Sequence, residues 1–197
     1  AAVLVEGREV GVVTSAAYSP ALQTPVALAI LAAMAWPEAT VDAVDIDEGA
    51  LAGARRNVEE HDLEARVSLI QSDLFQAIEG RRYDLIISNP PYVRAATVAD
   101  FPPEHRAEPA LAHDGGADGL DIVRRILGEA ARHLQQTGHL VMEVGGERAA
   151  LEQAYPSLAF LALDTAETSG EVLAVSRPSL SRIDRQGGRR TSGRKSS

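Results

Sequence analysis

The chain has 197 residues, a formal net charge of −9, 45% hydrophobic and 4% aromatic residues, and no cysteine. This length suits a single domain with a substantial core, and the lack of cysteine excludes disulfides and thiolate metal sites. The sequence has no apolar run of transmembrane length, no signal-peptide pattern and no histidine spacing typical of a metal site. We therefore expect a cytoplasmic enzyme that has neither a membrane partner nor a metal.

Apolar residues recur along the chain in strand-like and helix-like patterns. Strands are predicted at residues 41–46, 67–70, 83–88, 139–144, 158–163 and 171–176, and helices at residues 27–36, 48–61, 118–136 and 147–154. Asp47 is the predicted cap of the second helix. Alternating strands and helices that close with a pair of strands predict an α/β fold. Its sheet should be doubly wound and mostly parallel, with an antiparallel strand at the edge.

Charge is distributed unevenly between the body of the chain and its end. From Arg177 onwards, seven Arg or Lys residues stand against one Asp. This segment is poor in apolar side chains, so residues 178–197 are predicted to be a disordered basic tail. The tail offers RNA phosphates only weak contact, and the acidic body argues against a nucleic-acid substrate. The predicted organisation is an unplaced segment at residues 1–26, a folded domain at residues 27–177 and the tail.

The most informative feature is the tetrapeptide Asn89-Pro90-Pro91-Tyr92, which directly follows the predicted strand 83–88. The two prolines fix the backbone and keep Asn89 out of the helical region, so the strand must end in a rigid loop. The Asn89 side-chain oxygen and the Pro90 carbonyl can each accept one N–H of a planar NH₂ group, and the Tyr92 ring offers a face for stacking. The loop is predicted to position a substrate nitrogen, with no strong base or nucleophile in it.

Two acidic residues follow earlier strands of the predicted sheet. Asp45 closes the strand at residues 41–46, where a carboxylate can accept hydrogen bonds from both hydroxyls of a ribose. Asp73 follows the next strand and can accept from an exocyclic adenine N–H, with Ile46 and Leu74 against the faces of the ring. Because the carboxyl ends of parallel strands meet at one edge, this order predicts a nucleoside site beside the Asn89 loop.

These residues belong to a longer series of short motifs. The series consists of Asp45-Ile46-Asp47, Asn57, Gln71-Ser72-Asp73-Leu74-Phe75, Ser88-Asn89-Pro90-Pro91-Tyr92-Val93, Glu108-Pro109, Gly116-Ala117-Asp118-Gly119-Leu120 and Glu143-Val144-Gly145. It resembles the HemK-type class I methyltransferases, which transfer a methyl group from S-adenosylmethionine to the side-chain amide nitrogen of a glutamine. The stretch from Pro102 to Pro109 is most similar to the PrmB branch.

The resemblance implies a function and a set of site residues. The PrmB branch methylates a glutamine of the third large-subunit ribosomal protein, whereas the PrmC branch methylates peptide release factors. Asp45 resembles the ribose-binding acid, and Ile46, Asp73 and Leu74 resemble the adenine contacts of the S-adenosylmethionine site. The loop from Asn89 to Tyr92 resembles the substrate-amide clamp, with Asn89 also bordering the cofactor. An NPPY loop is shared with nucleic-acid amino-methyltransferases, which remain an alternative.

The region upstream of the resemblance departs from the family pattern. A class I methyltransferase has a glycine-rich turn about twenty residues before its ribose-binding acid, but the corresponding residues here are Leu22-Gln23-Thr24-Pro25-Val26. Losing those backbone contacts and the helix-terminus dipole would cost roughly 3–5 kcal/mol of cofactor binding. Two further hypotheses follow: the chain is a catalytically impaired relative that lacks the helical substrate domain, or the segment upstream of Ala27 is translated from a shifted reading frame.

Overall fold

A computed structural model of the chain describes most of the predicted domain. The described residues are 12–13, 16–19, 24–27, 33, 36–91, 118–163 and 171–190. Tyr92, Glu108 and Pro109, and most of the helix predicted at residues 27–36, lie outside these ranges. No helix in the described part of the chain is both long and apolar enough to cross a bilayer.

Strands and helices alternate through the described residues. The strands are β1 Val12–Val13, β2 Ala16–Ser19, β3 Thr24–Ala27, β4 Val41–Asp45, β5 Val67–Gln71, β6 Tyr83–Ser88, β7 Leu134–Glu143, β8 Leu161–Leu163 and β9 Val172–Ser176. The helices are α1 Glu48–Glu60, α2 Asp121–Glu129, α3 Arg148–Ala154 and α4 Arg177–Arg190, and 3₁₀ turns occur at Gln76–Ile78, Ala130–Arg132 and Gly145–Glu147.

Among these strands, seven form one sheet in the order β5-β4-β1-β6-β7-β9-β8, while β2 and β3 form a separate antiparallel pair. The strands from β5 to β7 pair in parallel. Strand β9 runs antiparallel to both β7 and β8. The sheet is therefore doubly wound and mostly parallel, as predicted, and its antiparallel strand lies one place inside the edge, with β8 outermost.

The ends of helix α1 follow from local chemistry. The Asp47 carboxylate accepts hydrogen bonds from the backbone N–H groups of Gly49 at 3.0 Å and Ala50 at 3.3 Å, which satisfies donors that have no partner within the helix. Asp47 is thus the cap of α1, as predicted. The helix presents Leu51, Ala54 and Val58 to the interior, at the spacing expected of an amphipathic helix.

The core lies in two layers, one on each face of the sheet. We call one side the α2 face, where Val123, Ile126 and Leu127 of α2 pack with Ile86 and other fully buried side chains. We call the other the α1 face, where Val58 of α1 packs with Val41, Ala43 and Val67, and where Leu85 packs with Val141. Since successive residues of a strand point to opposite faces, every strand residue can be assigned to one layer.

The helix predicted at residues 118–136 is wrong at its carboxyl end. Helix α2 stops at Glu129, and β7 begins at Leu134 and continues through Gly138. Between Tyr83 and Leu85, strand β6 advances by two residues while its partners on β7 advance from Leu134 to His139, which makes a bulge. Tertiary pairing with β6 therefore overrides the helical spacing of the apolar residues in this stretch.

The expectation of a disordered tail is wrong for residues 178–190, which belong to helix α4 (Arg177–Arg190). Leu180 is 1% exposed and joins the α2-face core. The Arg177 side chain donates to the carbonyl of Ala131 at 3.0 Å, and the Ser179 hydroxyl accepts from the backbone of Ala159 at 3.0 Å. The apolar positions of this segment are few, yet they are enough to fix the first turns of α4.

The unplaced segment at residues 1–26 contributes to the sheet. Strand β1 lies at the centre of it, where Val13 pairs with Ala43 on one side and Ile87 on the other. Strand β3 ends at Ala27, so this residue is extended and does not begin the helix predicted there. Residue 26 is consequently not a boundary of the sheet, because a strand from each side of it belongs to the fold.

Candidate functional site

The carboxyl edge of the parallel strands brings Asp45 and Asn89 to the same level. Ala43, Val13 and Ile87 are aligned across three neighbouring strands, and Asp45 and Asn89 each follow two residues later. Ala43 and Ile87 both pack on the α1 face, so the side chains two residues on point to that face as well. With two strand spacings between them, their Cα atoms lie roughly 10 Å apart. The predicted ribose and amide sites are therefore neighbours.

Asp45 is held in place by the backbone around it. Its Oδ1 atom accepts from the Asp47 N–H at 2.8 Å, and its carbonyl accepts from the Ser72 N–H at 2.9 Å. These bonds join the end of β4 to the turn after β5. The carboxylate thus has a fixed position at the mouth of the site, which suits recognition of a rigid sugar.

A cleft of about 450 Å³ opens between the ends of β4 and β5. Its lining residues are Ile46, Gln71, Ser72, Asp73, Gln76 and Ala77. Ile46 is 52% exposed, which is unusual for a large apolar side chain and leaves its surface available to an aromatic ring. The cleft therefore contains two of the predicted adenine contacts, Ile46 and Asp73, together with hydrogen-bonding side chains.

Asp73 already has protein partners in this cleft. Its Oδ2 atom accepts from the Arg125 guanidinium at 2.8 Å and from the Gln76 side chain at 3.3 Å. Arg125 lies on α2, so this ion pair connects the turn after β5 to a helix on the α2 face. The pair is partly exposed, with 34% of the Asp73 side chain and 42% of the Arg125 side chain accessible. Its contribution to stability is small, and its main effect is to orient the carboxylate.

Leu74 does not line the cleft. It packs against the α2-face core, and its backbone has a φ of 52°, in the left-handed region. The Ser72 hydroxyl holds this turn, since it donates to the Leu74 carbonyl at 3.0 Å and accepts from the Ala77 N–H at 2.9 Å. The structure thus brings together three of the four predicted cofactor residues of this region and directs the fourth into the core.

The loop that follows β6 begins from a buried anchor. Ser88 is 1% exposed, Pro90 is buried, and Asn89 and Pro91 are partly exposed at the rim. The strand ends at Ser88, as predicted, while the amide-binding role of the loop stays a prediction. Tyr92 lies outside the described residues, so its stacking role stays a prediction.

Three residues at this edge had no predicted role. Gln71 pairs with Asp45 at the end of β5, Arg125 contacts Asp73, and Glu143 ends β7. Gln71 and Glu143 both belong to the series of short motifs, and Glu143 is also a charged residue at the end of an apolar strand. The contact made by Arg125 depends on helix packing, which the sequence does not specify.

Glu143 is electrostatically distinctive. It is partly buried, and burial raises the pKa of its carboxyl above the ordinary value, with the nearby Glu171 carboxylate adding to the rise. Within the described residues, no side chain or backbone group forms a hydrogen bond or ion pair with the Glu143 carboxylate. No group of three or more His, Cys, Asp or Glu residues in the described ranges is arranged to hold a metal ion.

Solved structures with the same architecture identify the fold. A methyltransferase from Pyrococcus furiosus superposes with a TM-score of 0.60 at 17% identity, over 88% of this chain and 77% of that one. The hMettl16 catalytic domain, solved with the MAT2A 3′UTR hairpin 1, gives a TM-score of 0.59 at 16% identity, over 85% and 64%. The chain has the class I, Rossmann-like methyltransferase fold.

Residues 26–101 match the family model described as the methyltransferase small domain. Among curated relatives, the ribosomal protein uL3 glutamine methyltransferase of Bradyrhizobium diazoefficiens is 55% identical over 153 residues, which are 78% of this chain and 48% of the relative. The protein of the same name from Bordetella pertussis is 51% identical, over 78% and 51%. The chain spans about half the length of these relatives.

Proposed function

We propose that this chain carries the catalytic domain of an S-adenosylmethionine-dependent methyltransferase of the HemK type, PrmB branch. Its substrate would be the side-chain amide nitrogen of a glutamine in ribosomal protein uL3, a reaction of the cytoplasm. The observation that carries the proposal is the alignment of Asp45 and Asn89 on one edge and one face of the sheet. The relatives' names and identities of about 50% support the choice of substrate.

The described residues fit the adenosine half of the cofactor. Asp45 would accept from the ribose hydroxyls, Ile46 would cover one face of the adenine, and Asp73 would accept from its amino group. The cleft is open to solvent, and its polar side chains lie beside the exposed Ile46, where an adenine could be contacted. When bound, the cofactor supplies a methyl group on a positively charged sulfur.

The substrate half of the site relies on acceptors. The Asn89 side-chain oxygen and the Pro90 carbonyl would each take one hydrogen of the glutamine amide. With both hydrogens held in one plane, the lone pair of the nitrogen projects out of that plane toward the methyl donor. Positioning of this kind supplies several kcal/mol of a barrier without any change in the charge of the loop.

The region that would contact the methionine half of the cofactor has no glycine. Strand β1 is followed in sequence by Thr14 and Ser15, and then by the paired strands β2 and β3, at residues 16–19 and 24–27. This departure favours a second candidate, a relative that retains the fold but binds cofactor poorly. Calorimetric titration of the full chain with S-adenosylmethionine separates the two, because micromolar binding supports the enzyme and no binding at millimolar cofactor refutes it.

Asp45→Ala is the matched variant for that titration. Loss of a charge-assisted ribose contact worth about 1.5–3 kcal/mol would weaken cofactor binding roughly 10- to 150-fold. Asp47→Ser is the control, since serine retains the helix cap while removing a carboxylate two residues away. Equal weakening by both variants would show that general acidity, and not Asp45, holds the cofactor.

Substrate choice is tested by presenting uL3, a peptide release factor and RNA to the enzyme in parallel and locating the methyl group by mass spectrometry. We expect methylation of a uL3 glutamine. Asn89→Ala should abolish transfer and leave cofactor affinity nearly unchanged, because Asn89 contacts the substrate amide. Modification of RNA alone would instead place the chain with nucleic-acid amino-methyltransferases.

A further inference from the structure

The end of β7 lies directly beside the amide loop. Ser88 and Met142 are paired across β6 and β7, so Asn89, which directly follows β6, comes next to Glu143, the last residue of β7. Adjacent strands place such neighbours roughly 5 Å apart at their Cα atoms. Glu143 is therefore close enough for its side chain to reach a group held by Asn89.

Glu143 and Asn89 also point to the same face. On β7, Leu140 and Met142 belong to the α2-face core and Val141 to the α1 face, so Glu143 follows Val141 to the α1 face. On β6, Leu85 lies on the α1 face, and Asn89 has the same parity. The two side chains thus share the site that also contains Asp45.

The reaction proposed above creates a need that the amide loop cannot meet. The nitrogen becomes positively charged when it is methylated, and it must then lose a proton. The carbonyl oxygens of Asn89 and Pro90 are hydrogen-bond acceptors but very weak bases. A carboxylate at this place would both stabilise the developing cation and accept the proton.

Resting on the proposed function, we propose that Glu143 is the proton acceptor for the substrate amide. The nitrogen forms a bond to the methyl carbon as the carbon–sulfur bond of the sulfonium donor breaks, and the electron pair of that bond remains on sulfur. One N–H proton then moves to the Glu143 carboxylate, which releases it to water. The product is a neutral N-methyl amide and a neutral thioether.

The surroundings of Glu143 suit this task. It is only partly exposed to water, and a carboxyl whose pKa is raised is a better base when ionised. The charged group that acts on it from the β9 side is Glu171, while Ser88 at the end of β6 and Asn89 just after it are uncharged. Glu171 therefore acts on Glu143 through its charge.

The first test is the pH profile of methyl transfer to uL3 by the full chain at saturating substrates. For the native chain, the rate should rise with pH as Glu143 ionises and then reach a plateau. Glu143→Gln should lower kcat at least 100-fold and abolish this rise, and Glu143→Asp should retain part of both. Glu171→Gln should keep the plateau and shift the rise to lower pH, because removing its charge lowers the pKa of Glu143.

The second test is independent of turnover. A uL3 peptide in which ornithine replaces the target glutamine places an ammonium where the amide nitrogen would lie, and it mimics the cationic species. The native chain should bind this peptide several-fold more tightly than the glutamine peptide, and Glu143→Gln should remove that preference while binding the glutamine peptide normally. Circular dichroism of each variant reports whether it is folded.

The outcomes separate the two proposals. If the native chain methylates uL3 but Glu143→Gln keeps both the pH profile and the ornithine preference, the role of Glu143 is refuted and the proposed function stands. If the native chain transfers no methyl group but prefers ornithine through Glu143, the proposed function fails while the electrostatic assignment survives. Equal loss of binding for both peptides in a folded Glu143→Gln variant also overturns the role.

Discussion

Gly138 provides a sharp test of the register between β6 and β7. It lies in the bulge where β7 advances from Leu134 to His139, opposite Tyr83 and Leu85 of β6. A Cβ atom at Gly138 would lie 2.9 Å from the Tyr83 carbonyl oxygen and 3.1 Å from both the backbone N and O of Gln135. All three neighbours are backbone atoms, so they cannot move aside as a flexible side chain would.

We expect Gly138→Ala to lower the free energy of unfolding by about 1–2 kcal/mol. Overpacking against fixed atoms costs about 1–3 kcal/mol, and the reduced entropy of the unfolded alanine chain offsets about 0.4–1 kcal/mol of that. Gly128→Ala is the matched control. Gly128 lies in α2, and no described atom beyond the adjoining helical backbone comes within 4 Å of the point where a Cβ would lie. The same substitution there should be neutral or stabilise by up to about 1 kcal/mol.

Urea denaturation followed by circular dichroism measures both variants, and unchanged m-values would show that the denatured states are comparable. A difference of less than about 0.5 kcal/mol between the two substitutions would refute the assigned register. That result would also contradict the described geometry of the site, since a one-residue slip of β7 moves every one of its side chains to the opposite face of the sheet. Glu143 would then leave the face that it shares with Asn89.

Other predictions concern the cleft and the core. Arg125→Ala should weaken S-adenosylmethionine binding two- to five-fold, because it removes an ion pair that orients Asp73 and is worth at most about 1 kcal/mol; tighter binding would mean that Arg125 competes with the ligand. His133 stacks on Phe75 with ring centroids 4.6 Å apart, and burial lowers the pKa of its imidazole. His133 therefore binds a proton more weakly in the folded state than in the unfolded chain. Its contribution to the free energy of unfolding is fully present above a pH of about 6.5 and is lost as the pH falls below that value. Urea titrations at pH 7.5 and 5.5 measure how much the free energy of unfolding falls between the two pH values. This decrease should be smaller for His133→Phe than for the native chain. In the control variant His139→Gln, which replaces an exposed histidine, the decrease should equal that of the native chain.

Local elements could be predicted where one periodicity dominates. Helix α1, with its cap and its three buried apolar residues, and strand β6, with its Asn-Pro stop, both follow from nearest neighbours in the sequence. The end of α2 could not be predicted in this way. Leu134 continues the helical spacing of the apolar residues in α2, but it pairs with Tyr83 of β6. The neighbouring sequence does not indicate whether this leucine belongs to a helix or to a strand.

In the candidate site, too, some residues could be predicted from the local sequence and others could not. Asp45, Asp73 and Asn89 could be predicted as candidates because each lies at or just after the end of a strand and has a side chain suited to a nucleoside or an amide. The Arg125 partner of Asp73 and the burial of Leu74 were not, because both depend on how α2 and the turn after β5 pack. Helix α4 was missed for a similar reason, since Leu180 is stabilised by a core that is distant in sequence.

The sequence by itself determined the alternation of strands and helices, the rigid loop at Asn89 and the acids at the ends of β4 and β5. Only the tertiary structure decided which of these residues face one another. Between residues 140 and 144 every residue except Glu143 is apolar. Odd-numbered and even-numbered positions therefore look alike, and the sequence pattern does not indicate which face of the sheet each side chain points to. The bulge at Gly138 sets that register, and through it the position of Glu143 beside Asn89.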